Sequence, residues 1–274
     1  MPQPRQVTST ANELIRIYEQ AWMRIVEEEK RILRAPNRAR RRARLLELRT
    51  RVEIEMLRLD VQTKTWLRDR FPTVYRAGAR TGAMLADAEF NNWTTLHRGA
   101  VQRLAEDLFD DLLTATRFVR KDTKRFIREA AKIATEVKAT TGQTAVQAGR
   151  QLEDVLRDRG ITSVIYRNGA RHGLAEYSGM VLRTKSALAY NAGTLNGASQ
   201  QGGVKFFEIF DGPGCGLTGH GIGPEANGMV VSLDEARGNP IAHPNCQRGF
   251  GPRVEVTSRR AARRAAPTRE EVPA

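Results

Sequence analysis

Apolar residues along the first 160 positions recur at intervals of three and four. In NELIRIYEQAWMRIVEEEKRIL, Leu14, Ile17, Tyr18, Ala21, Trp22, Ile25 and Val26 form one stripe, with charged residues opposite. That is the period of a helix with one buried face. Thr10 or Asn12 is expected to cap its start, and Pro36 to stop or bend it. Asn37 then caps a second helix, whose stripe is Leu45, Leu48, Val52, Met56, Leu59 and Trp66. Pro72 marks another break. TVYRAGARTGAMLADAEF is helical in period, and its Gly78 and Gly82, four apart, permit close helix packing. Val101, Leu104, Leu108 and Leu112, then Phe126, Ile127, Ala130, Ile133 and Val137, predict two more amphipathic helices. GQTAVQAGRQLEDVLRDRG predicts a last one, stopped by Gly160.

After Gly160 the pattern changes. ITSVIYRNGARHGLAEY carries β-branched residues around Asn168-Gly169, the signature of a hairpin with strands at Ser163 to Tyr166 and after Ala170. YSGMVLRTKSALAYNAGTLNGASQQGG returns to helix, with Met180, Ala187, Leu188, Asn191 and Leu195 on related faces. VKFFEIFDG reads as a strand ended by Gly212-Pro213-Gly214. MVVSL and RGFGPRVEV are further strand candidates. The tail TSRRAARRAAPTREEVPA has too little apolar surface to fold alone. The expected class is therefore α+β: a helical bundle or array over 1–160, a small α+β domain over 161–256, and a disordered basic tail over 257–274.

Charge adds a partner class. The 274 residues hold 45 Lys+Arg against 31 Asp+Glu, a formal net charge of +14. The excess is local. Arg38, Arg40, Arg41, Arg42 and Arg44 crowd the first turns of the second helix, where positive charge opposes the macrodipole. Arg259, Arg260, Arg263 and Arg264 crowd the tail. Both clusters are candidates for phosphate contacts; a solvated arginine-rich face is the alternative. No apolar run approaches the length that spans a bilayer. The N-terminus lacks the apolar core of a signal peptide, and two cysteines make no disulfide framework. A soluble protein made in a cytoplasm is the expectation.

Both cysteines and two of the four histidines fall within CGLTGHGIGPEANGMVVSLDEARGNPIAHPNC. Cys215 with His220, and His243 with Cys246, form two pairs in turn-rich surroundings. Zinc takes Cys sulfur and His nitrogen, usually four ligands in a tetrahedron, so these four residues are candidate ligands of one structural zinc. Other readings stay open: polar loop histidines with buried cysteines, a Cys215–Cys246 disulfide, or a metal held by only two or three of the four. An open position would make the zinc catalytic, with Asp211, Glu225 or Asp234 as a base. No His-Glu-x-x-His, P-loop or Gly-x-Ser-x-Gly motif is present. His172 reads as structural and His97 as a surface or capping residue.

The C-terminal third resembles the Mu F-like minor head proteins of tailed bacteriophages, also described as head morphogenesis proteins. The likeness lies in the order of short motifs: Arg183, Thr184 and Asn191 on a helix, a strand ending in Asp211, a Cys-containing loop, and His243, Pro244 and Cys246. It spans about residues 161 to 253. Where many members carry Cys-x-x-Cys this chain has Cys215 and His220, and Gln247-Arg248 replaces a final Arg-Cys. The resemblance implies a minor capsid component and no enzyme. Its partners would be the portal protein, other head proteins and, non-specifically, packaged DNA. Its location would be the host cytoplasm during assembly and then the capsid interior. A zinc-dependent nuclease-like enzyme and a capsid-unrelated DNA-binding protein are the alternatives.

Overall fold

The computed structural model describes residues 5–36, 38–139, 163–165, 171–258 and 261–262. Four helices come first: α1 (Arg5–Leu33), α2 (Arg38–Asp69), α3 (Phe71–Leu85) and α4 (Thr95–Ala139). A two-stranded hairpin, β1 (Ser163–Ile165) and β2 (Arg171–Gly173), leads into α5 (Leu174–Gly202). Then come β3 (Phe206–Phe210), β4 (Val230–Ser232), the short α6 (Leu233–Gly238) and β5 (Gly249–Pro252). The chain is mostly helical, with a three-stranded antiparallel sheet in the order β4-β3-β5. No helix among the described residues is long and apolar enough to cross a membrane. The predicted helix over 142–160, the Asn168-Gly169 turn, the Asn37 cap and Arg259, Arg260, Arg263 and Arg264 lie outside the described residues.

The prolines punctuate as expected: α1 ends three residues before Pro36, and Pro72 occupies the first turn of α3. Two expectations are corrected. Thr10 and Asn12 sit inside α1, which begins at Arg5, so neither caps it. The two helices predicted between residues 97 and 139 are one helix of 45 residues. The stretch where they were expected to part, Arg120-Lys121-Asp122, contains no glycine or proline, and nothing there interrupts the hydrogen-bond ladder.

The chain divides into two compact units. In the unit of residues 14–65 and 109–179, Leu14, Tyr18, Ala21 and Ile25 are buried on α1. Leu48, Val52, Met56 and Leu59 are buried on α2, and Leu112, Ala115, Val119 and Phe126 on α4. Polar links fix the register between these helices. Arg24 grips the buried Glu55 with two hydrogen bonds of 3.0 and 2.8 Å. The Tyr18 hydroxyl lies 3.0 Å from Thr63 Oγ1, and Thr116 donates to Asp60 at 2.7 Å.

The second unit comprises residues 1–13, 66–108 and 180–274. Here α3 crosses α5 at backbone contact. A Cβ built on Gly78 or Gly82 would lie 2.0 Å from the carbonyl oxygen of Tyr190 or Thr194. Gly193 and Gly197 return the arrangement, at 2.2 Å from Tyr75 O and 2.0 Å from Ala79 O. Beside this crossing, Leu195 and Ala198 of α5 join Phe207, Ile209, Val231, Ala236 and Phe250 in one core, so the sheet is seated on the helix. The α6 helix is fixed by a capping box between Ser232 and Glu235.

His97 corrects another expectation. It is fully buried, stacked on Trp93 with ring centroids 5.4 Å apart. Asn196 Nδ2 donates to the Tyr75 hydroxyl at 2.7 Å, and that hydroxyl lies 3.1 Å from His97 Nδ1. The hydroxyl and Nδ1 share one hydrogen bond, and His97 Nε2 is buried without a hydrogen-bond partner among the described residues. Burial holds its pKa below the ordinary histidine value.

Gly82→Ala or Gly197→Ala is expected to cost about 3 kcal/mol, because the added methyl meets backbone rather than a yielding side chain. Gly99→Ala in α4 meets only the end of the Arg103 side chain, at 3.4 Å. It should be neutral or stabilising by up to about 1 kcal/mol. Urea denaturation midpoints of the three variants test the contrast.

Candidate metal centre

Residues 211–228 and 239–248 form two loop-rich segments at the end of the sheet, with few apolar side chains to bury. Backbone geometry shapes the first. Gly214 adopts φ 74°, where a Cβ is disfavoured and would also meet the His220 ring at 3.2 Å. Cys215 and His220 then face one another as an isolated antiparallel bridge. In the second segment, Cys246 N donates to His243 O at 3.0 Å, closing a turn through Pro244 and Asn245. Asn245 takes a left-handed φ of 62°.

These two turns bring three sequence-predicted ligands together. The donor atoms of Cys215, His243 and Cys246 all lie within 4.8 Å of one another, and both cysteines are buried and free. Cys215 Sγ is 3.3 Å from His243 Nε2. His220, which is exposed, stands at the edge of the set, its Nδ1 3.7 Å from Cys215 Sγ. The two imidazoles meet edge to face at 5.2 Å.

The donors fit a soft divalent cation. Tetrahedral zinc with sulfur at about 2.3 Å and nitrogen at about 2.0–2.1 Å requires sulfur–nitrogen separations near 3.6 Å, and the two observed separations bracket that value. The tautomer of His243 fits as well. Its Nδ1 lies 2.8 Å from Pro244 O, an atom that only accepts, so Nδ1 carries the proton and Nε2 turns a lone pair toward Cys215. Without a cation the same cluster opposes charge. Burial pushes the Cys215 thiol up to about 11, and the charges of Asp211 and Cys246 add to the effect. A bound dication would reverse that balance and favour thiolates.

Beneath the cluster lies a residue with no assigned role in the sequence reading. Arg248 is fully buried and makes four hydrogen bonds. Its Nε donates to Asp211 Oδ2 at 2.7 Å, Nη1 to Leu217 O and Asn239 O at 2.8 and 2.9 Å, and Nη2 to Gly216 O at 2.7 Å. The Asp211 side chain is equally buried. Its other oxygen accepts from Gly212 N at 2.9 Å and from Cys246 Sγ at 3.4 Å. One ion pair thus joins both loops to a ligand. Cys246 and Arg248 are buried and Gln247 between them is exposed, as on a strand approaching the sheet.

The other motif residues also converge here. Asn191 of α5 donates to Pro240 O at 3.1 Å and to Arg248 O at 2.8 Å. Asn245 N donates to Thr184 Oγ1 at 3.2 Å, and Arg183 Nε to Asn245 Oδ1 at 3.3 Å. Arg183, Thr184, Asn191, Asp211 and the Pro244 turn are therefore linked in one network, although they span more than sixty positions. Of the basic residues, Arg40 is exposed and Arg44 half-buried on α2. The side chains of Arg38, Arg41, Arg42 and His172 lie outside the described residues, as do Arg259, Arg260, Arg263 and Arg264; within the stretch expected to be a disordered tail, Ala262 is buried with Phe206 and Val256, and its N donates to Ser258 O at 2.9 Å. Glu225 accepts from Gly214 N at 3.0 Å, and Asp234 is exposed in the first turn of α6.

No protein family, no curated protein and no solved structure matches the chain.

Arg248→Met is expected to destabilise the protein by about 3–5 kcal/mol, because it strands a buried carboxylate and three carbonyls. Adding Asp211→Asn should recover part of that loss, giving a double-mutant coupling of about 1 kcal/mol or more. Equilibrium urea unfolding of the single and double variants measures it.

Proposed function

We propose that this chain is a minor structural protein of a tailed-phage head, acting in head assembly at or near the portal. In this reading one zinc ion, held by Cys215, His243 and Cys246 with His220 as the fourth ligand, clamps the C-terminal loops. The reading is supported chiefly by one observation: the residues that carry the resemblance to Mu F-like proteins hold a single loop, 239–248, in one hydrogen-bonded network with the cysteine–histidine cluster.

What surrounds the cluster supports a structural role for the metal. Asp211 is the carboxylate nearest the cluster and the natural general base for a metal-bound water. Both its oxygens are already occupied, by Arg248 on one side and by Gly212 N and Cys246 Sγ on the other. It serves as an anchor instead of a base. The net charge of +14 suits a polyanionic neighbourhood. Duplex DNA carries one charge per about 1.7 Å of axis, so Arg38, Arg40, Arg41, Arg42, Arg44 and the tail arginines would contact it without sequence preference.

Produced together with a tailed-phage portal protein from the same genome, the chain is expected to co-purify with the portal ring in salt that abolishes DNA binding, and to show no nuclease activity with zinc. Retention on DNA of any sequence with no affinity for portal or capsid would overturn the head-protein reading. Metal-dependent DNA cleavage lost on Asp211→Asn would favour a nuclease.

A further inference from the structure

The α2 helix carries a second apolar stripe that the fold does not use. Its inward face holds Leu48, Val52, Met56, Leu59 and Trp66, all buried. Across the helix, Leu46, Ile54, Leu57 and Val61 are 56, 56, 50 and 64% exposed. Ile54, Leu57 and Val61 follow one another at spacings of three and four. At 100° per residue they fall, with Leu46 and Thr50, within one arc of about 80°. The stripe runs about 22 Å along the helix axis. A helix needs only one apolar face to join its own bundle, so this one awaits something else.

The residue types say what. With Ile54 and Val61 at the first apolar position of a heptad, Leu57 takes the fourth. β-branched residues at the first and leucine at the fourth favour a parallel two-stranded coiled coil. The flanks agree. Glu53 and Asp60 line one side of the stripe, and Arg51 and Arg58 the other. In a parallel pair, the acidic flank of one helix faces the basic flank of its mate, one heptad on, which sets Glu53 against Arg58. An antiparallel pair would set like charges together. Asp60 is engaged within its own unit by Thr116 and Arg120, and Arg51 lies 3.6 Å from Glu28. Glu53 makes only long contacts, 3.8 Å to Arg120 and 3.6 Å to Lys124, and its side chain is 39% exposed. A further cation can share it.

We propose that the outer face of α2 is a self-association surface on which a second copy of this chain pairs in parallel through Ile54, Leu57 and Val61, with Glu53 of each copy meeting Arg58 of the other. Three apolar core positions, followed by Thr50 and Lys64 at the next ones on either side, make a small interface, so the pairing is reversible and concentration-dependent.

Sedimentation equilibrium of the full chain tests this. A monomer–dimer equilibrium is expected, weakened about tenfold or more by Ile54→Glu or Leu57→Arg. Arg58→Glu and Glu53→Arg should each weaken it about three- to tenfold, and mixing these two variants should restore association as a heterodimer. Ile54, Leu57 and Arg58 are exposed, so the thermal midpoints of their variants should stay near that of the parent, with Leu57→Gln replacing Leu57→Arg should that variant fail to fold. Glu53 is half-buried beside Arg120 and Lys124, so the mixing result counts only where circular dichroism shows Glu53→Arg folded. A chain monomeric at every concentration overturns the proposal. So does a dimer indifferent to Ile54→Glu and Leu57→Gln, or one that the mixture fails to restore.

Discussion

The C-terminal part of this protein depends on one buried ion pair. Arg248 and Asp211 have no exposed side-chain surface, and taking two such charges from water is costly unless every polar atom is met. The surrounding chain meets them: carbonyls of Gly216, Leu217 and Asn239 converge on the guanidinium, and Gly212 N and Cys246 Sγ on the carboxylate. Segments with little apolar surface are thereby given one geometry. The cysteine–histidine cluster is a consequence, since Asp211 contacts Cys246 directly and Arg248 grips the residues that follow Cys215.

A rigid helix presents this centre. The α5 helix has two working faces. Gly193 and Gly197 bring its backbone against α3, which leaves little freedom to slide or rotate. Arg183, Thr184 and Asn191 fasten the 239–248 loop. Packing also regroups the chain. The change of sequence style at residue 160 does not separate the compact units, because α3 and the start of α4 fold with the C-terminal sheet.

Helical stripes were legible because burial imposes a period, and the prolines marked where the ladder must stop. The strands β3, β4 and β5 and three of the four candidate ligands were readable for similar reasons. What escaped prediction depends on tertiary neighbours. His97 sits inside because Phe90 and Trp93, just before it in the chain, and Tyr75 of α3 close around it, and the third of these is brought there only by the fold. The two apolar sets between residues 101 and 137 were read as two helices, yet no residue between them interrupts the backbone. The close helix packing that Gly78 and Gly82 announced is present, but its other side, Gly193 and Gly197, lies over a hundred positions away and could not be matched to it locally. Arg248 looked like surface charge because charged residues rarely sit inside, and its carboxylate lies 37 positions earlier.

The central claim is that this network exists to hold a structural metal. Elemental analysis of the purified, folded chain beside Cys246→Ser tests it most directly. One zinc per chain in the parent and a marked deficit in the variant are predicted. A fully folded parent that carries no transition metal would contradict the account.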